Sequence, residues 1–210
     1  MFVLGVDPGL SRCGYGVLEA RPRGARAAAL GVITTPPSDP LPQRLAELQR
    51  ELRALIHEFR PAVVAVERVL FQVNVRTAMS VGQASGIAMA EAASFGCEVV
   101  QYSPNQVKEA VTGYGAADKL QVQQMVQTLL GLAALPEPPD AADAAALALT
   151  HLAIAGSGAG GALLAAASPS AFATGAPRAP ARSGGTGPGQ IKNAMGRPLA
   201  PRATSTGGST

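Results

Sequence analysis

Cysteine is scarce in this chain: Cys13 and Cys97 are the two in 210 residues. Two thiols build neither a disulfide framework nor a zinc site, so each is expected as a small buried apolar residue. Long hydrophobic runs are missing too, since nothing approaches the roughly 18 apolar residues of a membrane helix. The N-terminus has no basic segment leading into an apolar one, because Asp7 interrupts the first run at once. No secretion signal is expected, and a reducing cytoplasm fits best. Acid is absent from one end. From Gly156 onward there are five basic residues (Arg178, Arg182, Lys192, Arg197, Arg202) and no Asp or Glu. Residues 1–155 keep the other twelve of seventeen basic side chains and all fourteen acids, a net of −2. Basicity thus belongs to the tail, and overall charge is no warrant for nucleic-acid binding.

What is present is 47% hydrophobic and only 15% charged, a composition that can bury an ordinary core. Residues 1–156 read as one domain. Residues 157–210 are Gly, Ala, Ser, Pro and Thr with scattered basic side chains, and this low-complexity basic tail is expected to be disordered. In the domain, Met1-Phe2-Val3-Leu4 opens a buried strand, and Arg12–Glu19 and Ala27–Thr35 follow as two more, joined by short turns. Leu41, Leu45, Leu48, Leu52, Leu55, Ile56 and Phe59 recur at steps of three and four, which predicts an amphipathic helix stopped by Pro61. Ala62–Val66 is a strand covered on both faces, and Cys97–Tyr102 is a fifth. Between them a helix from Thr77 to about Phe95 carries Gly82, Ala84, Ser85, Gly86, Ala88, Ala90 and Ala92, a small-residue surface suited to close approach by another element. Ser103-Pro104 starts a short helix, Asp118 caps one ending at Gly131, and a last helix runs from Asp140 to about Ala155. This order is an α/β chain with a five-stranded mixed sheet flanked by helices.

Acids stand at the ends of two of those strands. Asp7, in Gly5-Val6-Asp7-Pro8-Gly9, either caps its own Pro-Gly turn or holds a metal or phosphate at the strand's carboxyl end. Glu67 closes the 62–66 run in the same way. Asp140 and Asp143, three apart, share one face of the last helix. Taken alone they read as a capping box and a complement to the helix dipole. If that helix starts beside the two strand ends, four carboxylates share one small volume and take up protons or cations. Hard divalent ions with oxygen ligands suit such a cluster, and a pair of them can drive phosphodiester hydrolysis.

The motif series Gly5-Val6-Asp7-Pro8-Gly9 with Gly14-Tyr15-Gly16, then Val66-Glu67-Arg68-Val69 with Asn74, resembles the RuvC family of Holliday-junction resolvases. The likeness continues through Gly82-Gln83-Ala84, Tyr102-Ser103-Pro104, Val107-Lys108, Thr112-Gly113 with Gly115, Ala117-Asp118-Lys119 and Asp140-Ala141-Ala142-Asp143-Ala144. It covers residues 2–155 in order. The resemblance implies a ribonuclease-H-like fold and a homodimer that nicks two opposed strands of a four-way DNA junction. It implies Mg²⁺-dependent cutting to 5′-phosphate and 3′-hydroxyl ends, two ions per site with Mn²⁺ as a substitute, in recombination and repair beside a branch-migration motor of the RuvA and RuvB type. Asp7, Glu67, Asp140 and Asp143 match the family's metal-binding carboxylates, and Lys108 and Lys119 match lysines near the scissile strand. On the residues themselves, a lysine there contacts phosphate or is a solvated helix end.

One departure from the family pattern concerns stacking. An aromatic residue often follows the active-site Glu by three positions; here Leu70 fills that place and Phe71 is next, expected either to take up base stacking or to pack under the loop. Arg68 and Arg76 are candidate phosphate contacts in the same connection. The helix 77–95 is the candidate dimer surface, against packing on its own sheet. His57 and His151 carry no assigned role. Two other readings share some of these features: a sugar-kinase or actin-like ATPase, which opens with a similar strand and turn but has a second lobe, and a junction-binding module without catalysis.

Overall fold

The central strand is β1 (Phe2–Asp7), whose Val3, Leu4 and Val6 are almost fully buried. It runs antiparallel to β2 (Arg12–Arg21), which pairs with β3 (Gly24–Thr34). On its other side lies β4 (Val63–Glu67), parallel, and beyond that β5 (Glu98–Tyr102), parallel again. The sheet order is β3-β2-β1-β4-β5, and this computed structural model describes residues 1–68 and 75–157. The mixed five-stranded sheet is the one expected. The β2–β3 hairpin is longer than its apolar pattern indicates: it continues to Arg21 and Gly24, where Glu19 pairs with Arg21 at 2.6 Å and with Arg26 at 3.1 Å. Cross-strand charge, rather than alternation, supports that end.

Helices cover both faces. Helix α1 (Leu41–Phe59) buries Leu48, Leu52, Leu55 and Ile56 on one face of the sheet, alongside α2 (Val75–Ser94). The small residues of α2 divide by face. Ala84, Ala88 and Ala92 pack inside the chain. Gly82 and Gly86 look outward, where an added methyl group would meet nothing within 4 Å, beside Met79 at 63% exposure. Glu91 on α2 is buried, receives Arg53 Nε and Nη2 at 2.8 and 2.9 Å and Gln49 at 2.6 Å, and so ties α2 to α1. Arg53→Ala removes two of the three hydrogen bonds that reach this carboxylate and should lower stability. The check is a urea midpoint that falls at unchanged m-value.

The other face carries α3 (Pro104–Thr112), α4 (Lys119–Leu130) and α5 (Pro139–Ser157). Ser103 and Asp118 start α3 and α4 through capping boxes closed by Gln106 and Gln121. Helix α5 lies on the strands at backbone distance. Its Ala141, Ala142, Ala144, Ala145, Ala146 and Ala148 are 0–1% exposed, and it rests on glycine. A methyl group on Gly5 would collide with the Ala144 carbonyl, and one on Gly14 with the Asp140 carbonyl. Gly16 meets Ala145 in the same way. The Gly-x-Asp and Gly-Tyr-Gly motifs are therefore the floor on which the last helix sits. Helix α5 begins at Pro139, one residue before the expected start, because proline is pre-organised for a first helical turn. Asp140 thus stands inside that turn rather than capping it. His151, near the far end, is buried against Tyr102, its Nδ1 3.0 Å from the phenol oxygen, so it belongs to the core rather than to a helix surface. Cys13 is buried in the opposite core, its thiol pushed up to about 12 mainly by burial, and Cys97 is partly buried. Among the described residues no helix is long and apolar enough to cross a membrane.

Candidate active site

Strand register brings the first two acids together. Val6 lies opposite Val66 in the parallel β1–β4 ladder, so Asp7 and Glu67 end neighbouring strands, which lie about 4.8 Å apart. Helix α5 starts above the same ends, since Asp140 sits over Gly14 and Gly14 is the register partner of Asp7. One turn on, Asp143 faces the cleft. The capped start of α4 places Lys119 at its first position, and Lys119 Nζ lies 2.7 Å from Asp143 Oδ2. Glu67, Asp143, Lys119, Lys108, Val107 and Val122 line an open cleft of about 230 Å³. Lys108 is half-buried on the cleft wall within α3, not at a solvated helix end.

Electrostatics show how tightly these groups share the space. Burial, then the charges of Glu67, Asp143 and Asp140, raise Asp7 from 3.8 to about 7. Burial and the Asp143 charge also raise Glu67. Lys119 works against both shifts. Its own ammonium is held charged chiefly by the hydrogen bond to Asp143. Asp140 is moved the other way, below 3.8, because Arg12 donates to it through Nε at 3.2 Å and Nη2 at 2.7 Å. The Arg12 contact was not foreseen from sequence; its signal was a cation at the start of the strand that faces Asp7.

This donor set suits a hard cation. All four acids offer oxygen, and two of them hold protons abnormally well because burial and mutual repulsion disfavour their charge. The site is not a finished cage, however. Among the described residues no three acidic, Cys or His side chains are arranged around one ion position, since Asp140 is turned onto Arg12 and Asp143 onto Lys119. Asp7 feels the charges of the other three acids and Glu67 that of Asp143, but among the described residues no coordination sphere is preformed. Of the other candidates, Arg68 is exposed just past β4, its N–H bonded to the Tyr102 carbonyl at 2.8 Å. Arg76 falls in the first turn of α2, with its side chain outside the described residues. Leu70, Phe71 and the tail 158–210 also lie outside them.

A central strand flanked by one antiparallel and one parallel neighbour, ending in acids met by a closing helix, is the ribonuclease-H-like arrangement. Residues 3–151 match the sequence family described as crossover junction endodeoxyribonuclease RuvC. The protein of that name from Salinispora arenicola is 54% identical over 153 residues, 72% of this chain and 87% of the relative. The Thermus thermophilus RuvC solved with a Holliday junction substrate superposes with a TM-score of 0.72 at 38% identity, covering 75% of this chain and 96% of that one. The yeast mitochondrial Holliday junction resolvase Ydc2, at 15% identity and a TM-score of 0.50, shares the fold; the match covers 70% of this chain and 77% of that one. The chain belongs to the RuvC family of crossover junction endodeoxyribonucleases. Membership implies hydrolysis of DNA phosphodiester bonds and, in general, dependence on a divalent metal.

Proposed function

We propose that this chain resolves four-way DNA junctions by paired, symmetric, Mg²⁺-dependent cuts, acting as a cytoplasmic homodimer in recombination and repair. The observation that carries the reading is geometric: Asp7 and Glu67 end neighbouring parallel strands, and the first turns of α5 bring Asp140 and Asp143 over the same ends. Asp7, Glu67, Asp140 and Asp143 are the ligands for two Mg²⁺ ions, with Mn²⁺ able to substitute. When bound, these ions supply water activation and stabilisation of the leaving oxygen. The chain's own groups do the rest. Lys119 and Lys108 on the cleft wall contact the scissile strand and offset charge building on its phosphate. Arg68 and Arg76 track the backbone of the neighbouring arm, and Phe71 stacks on a base at the crossover. The outward Gly82–Gly86 surface of α2 allows a second copy to approach closely, setting two sites on opposed strands. The basic tail beyond residue 156 adds salt-sensitive, sequence-independent affinity. A branch-migration motor of the RuvA and RuvB type is the expected partner.

The test is cleavage of a synthetic four-way junction by the full chain. With Mg²⁺, symmetric nicks that a ligase can seal should appear in two opposed strands, while linear duplex of the same sequence stays largely intact. Equal cutting of both substrates would remove the junction from the assignment. No cutting with either Mg²⁺ or Mn²⁺ would remove the catalysis.

A further inference from the structure

Each acid that α5 brings to the site already has a cation. Asp143 has Lys119 and Asp140 has Arg12, both at 2.7 Å, while the ion pairs of the described residues reach neither Asp7 nor Glu67. Arg12 is an unusual choice for a permanent clasp. Its Nε and Nη2 both fall on the same oxygen, Oδ2, instead of forming the fork in which each nitrogen meets its own oxygen. Its side chain is 50% exposed, so the guanidinium stays hydrated and the pair is a weak one. The backbone beneath it is fixed independently. Thr35 N–H donates to the Ser11 carbonyl at 3.2 Å, Thr35 Oγ1 to the Leu10 carbonyl at 2.5 Å, and Arg44 to Ser11 Oγ at 2.6 Å. The guanidinium can therefore leave Asp140 without unravelling the turn that carries Asp7.

We propose that Arg12 is an exchangeable counter-ion: it occupies Asp140 before a divalent cation binds, yields that carboxylate on loading, and then contacts a backbone phosphate of the bound DNA. The inference rests on the metal-dependent reading of the site. A divalent ion outcompetes one exposed guanidinium on charge, and a released arginine on the rim is suited to phosphate, which it binds through planar, paired donors. Before loading, the same residue keeps clustered acids from repelling the DNA strand. A merely structural arginine would do the opposite on removal, since losing it would loosen Asp140 and weaken metal binding.

The experiment uses the full chain without DNA, titrated with Mn²⁺ and followed by electron paramagnetic resonance. Arg12→Ala should bind Mn²⁺ about fivefold more tightly than wild type, the gain expected from removing a weak exposed competitor. Arg12→Lys, which keeps the charge, should stay near wild type. Arg12→Gln serves as the second neutral variant should the alanine form not fold, with circular dichroism as the check. On a four-way junction in Ca²⁺, the neutral variant should also lose about one unit from the salt-dependence slope. Mn²⁺ affinity that is unchanged or weaker in the neutral variants overturns the exchange, and an unchanged slope overturns the phosphate contact. If wild type binds no Mn²⁺ and cuts no junction, the functional reading fails and takes this one with it. If wild type does both and the Arg12 variants match it, only the counter-ion role is lost.

Discussion

Asp7→Asn should reduce junction cleavage by about three orders of magnitude, the loss expected when several kcal/mol of transition-state charge stabilisation disappear. Asparagine keeps the size of the side chain and removes the charge that draws a cation to the centre of the sheet. Junction binding should survive, because the positive groups of the cleft, Lys108 and Lys119, are untouched. Glu67→Gln should behave alike, since Glu67 ends the adjacent parallel strand. Gel-shift and single-turnover cleavage on the same junction separate the two effects. Wild-type cleavage by the Asp7 variant would show that the chemistry lies elsewhere on the chain.

Metal-free protein should lose stability as pH rises from about 4 to about 7, the reverse of ordinary acid denaturation. The sign follows from Asp7. Its carboxyl ionises near 3.8 in the unfolded chain and near 7 in the fold, so between those values the native state holds a proton that the unfolded state has released. Stability then falls with rising pH and levels off above 7; raised Glu67 adds in the same direction. Asp140, lowered by Arg12, contributes stability lost only below 3.8, outside this window. The Asp7 effect is on the order of 3 kcal/mol, equivalent to about 6–12 °C in melting temperature for a domain of this size. Thermal melts in EDTA at pH 5 and pH 8 measure it directly. Mg²⁺ should restore most of the loss at pH 8 and little at pH 5, and Asp7→Asn should flatten the trend. A wild-type melting temperature in EDTA that is equal at both pH values would mean that Asp7 is not held protonated by its surroundings.

Much of this architecture was legible in the residues. Leu48, Leu52 and Ile56 keep helical spacing, and Val63–Val66 is an unbroken apolar run, so local pattern and burial agree in α1 and β4. Glu67 and Asp7 stood out as acids closing apolar strands. What periodicity cannot reveal is a pairing between side chains 128 positions apart, such as Arg12 with Asp140, or a buried hydrogen bond such as Tyr102 with His151. Both depend on where α5 lies, which is decided by tertiary contact. The end of the β2–β3 hairpin was missed for a related reason: Glu19 and Arg26 pair across strands by charge and leave no alternating apolar trace. Asp140 looked like a helix cap because Asp at such a boundary usually is one, yet Pro139 starts the helix and frees the carboxylate for Arg12.

At Gly5, Gly14 and Gly16 the backbone of α5 rests directly on the backbone of β1 and β2, with no compliant layer at those points. A side-chain interface can absorb a small misfit by changing rotamers; these three contacts have none to change. The spacing between the acids of α5 and those of the strands is thus set by hydrogen atoms in place of carbon, at positions bearing no functional group at all.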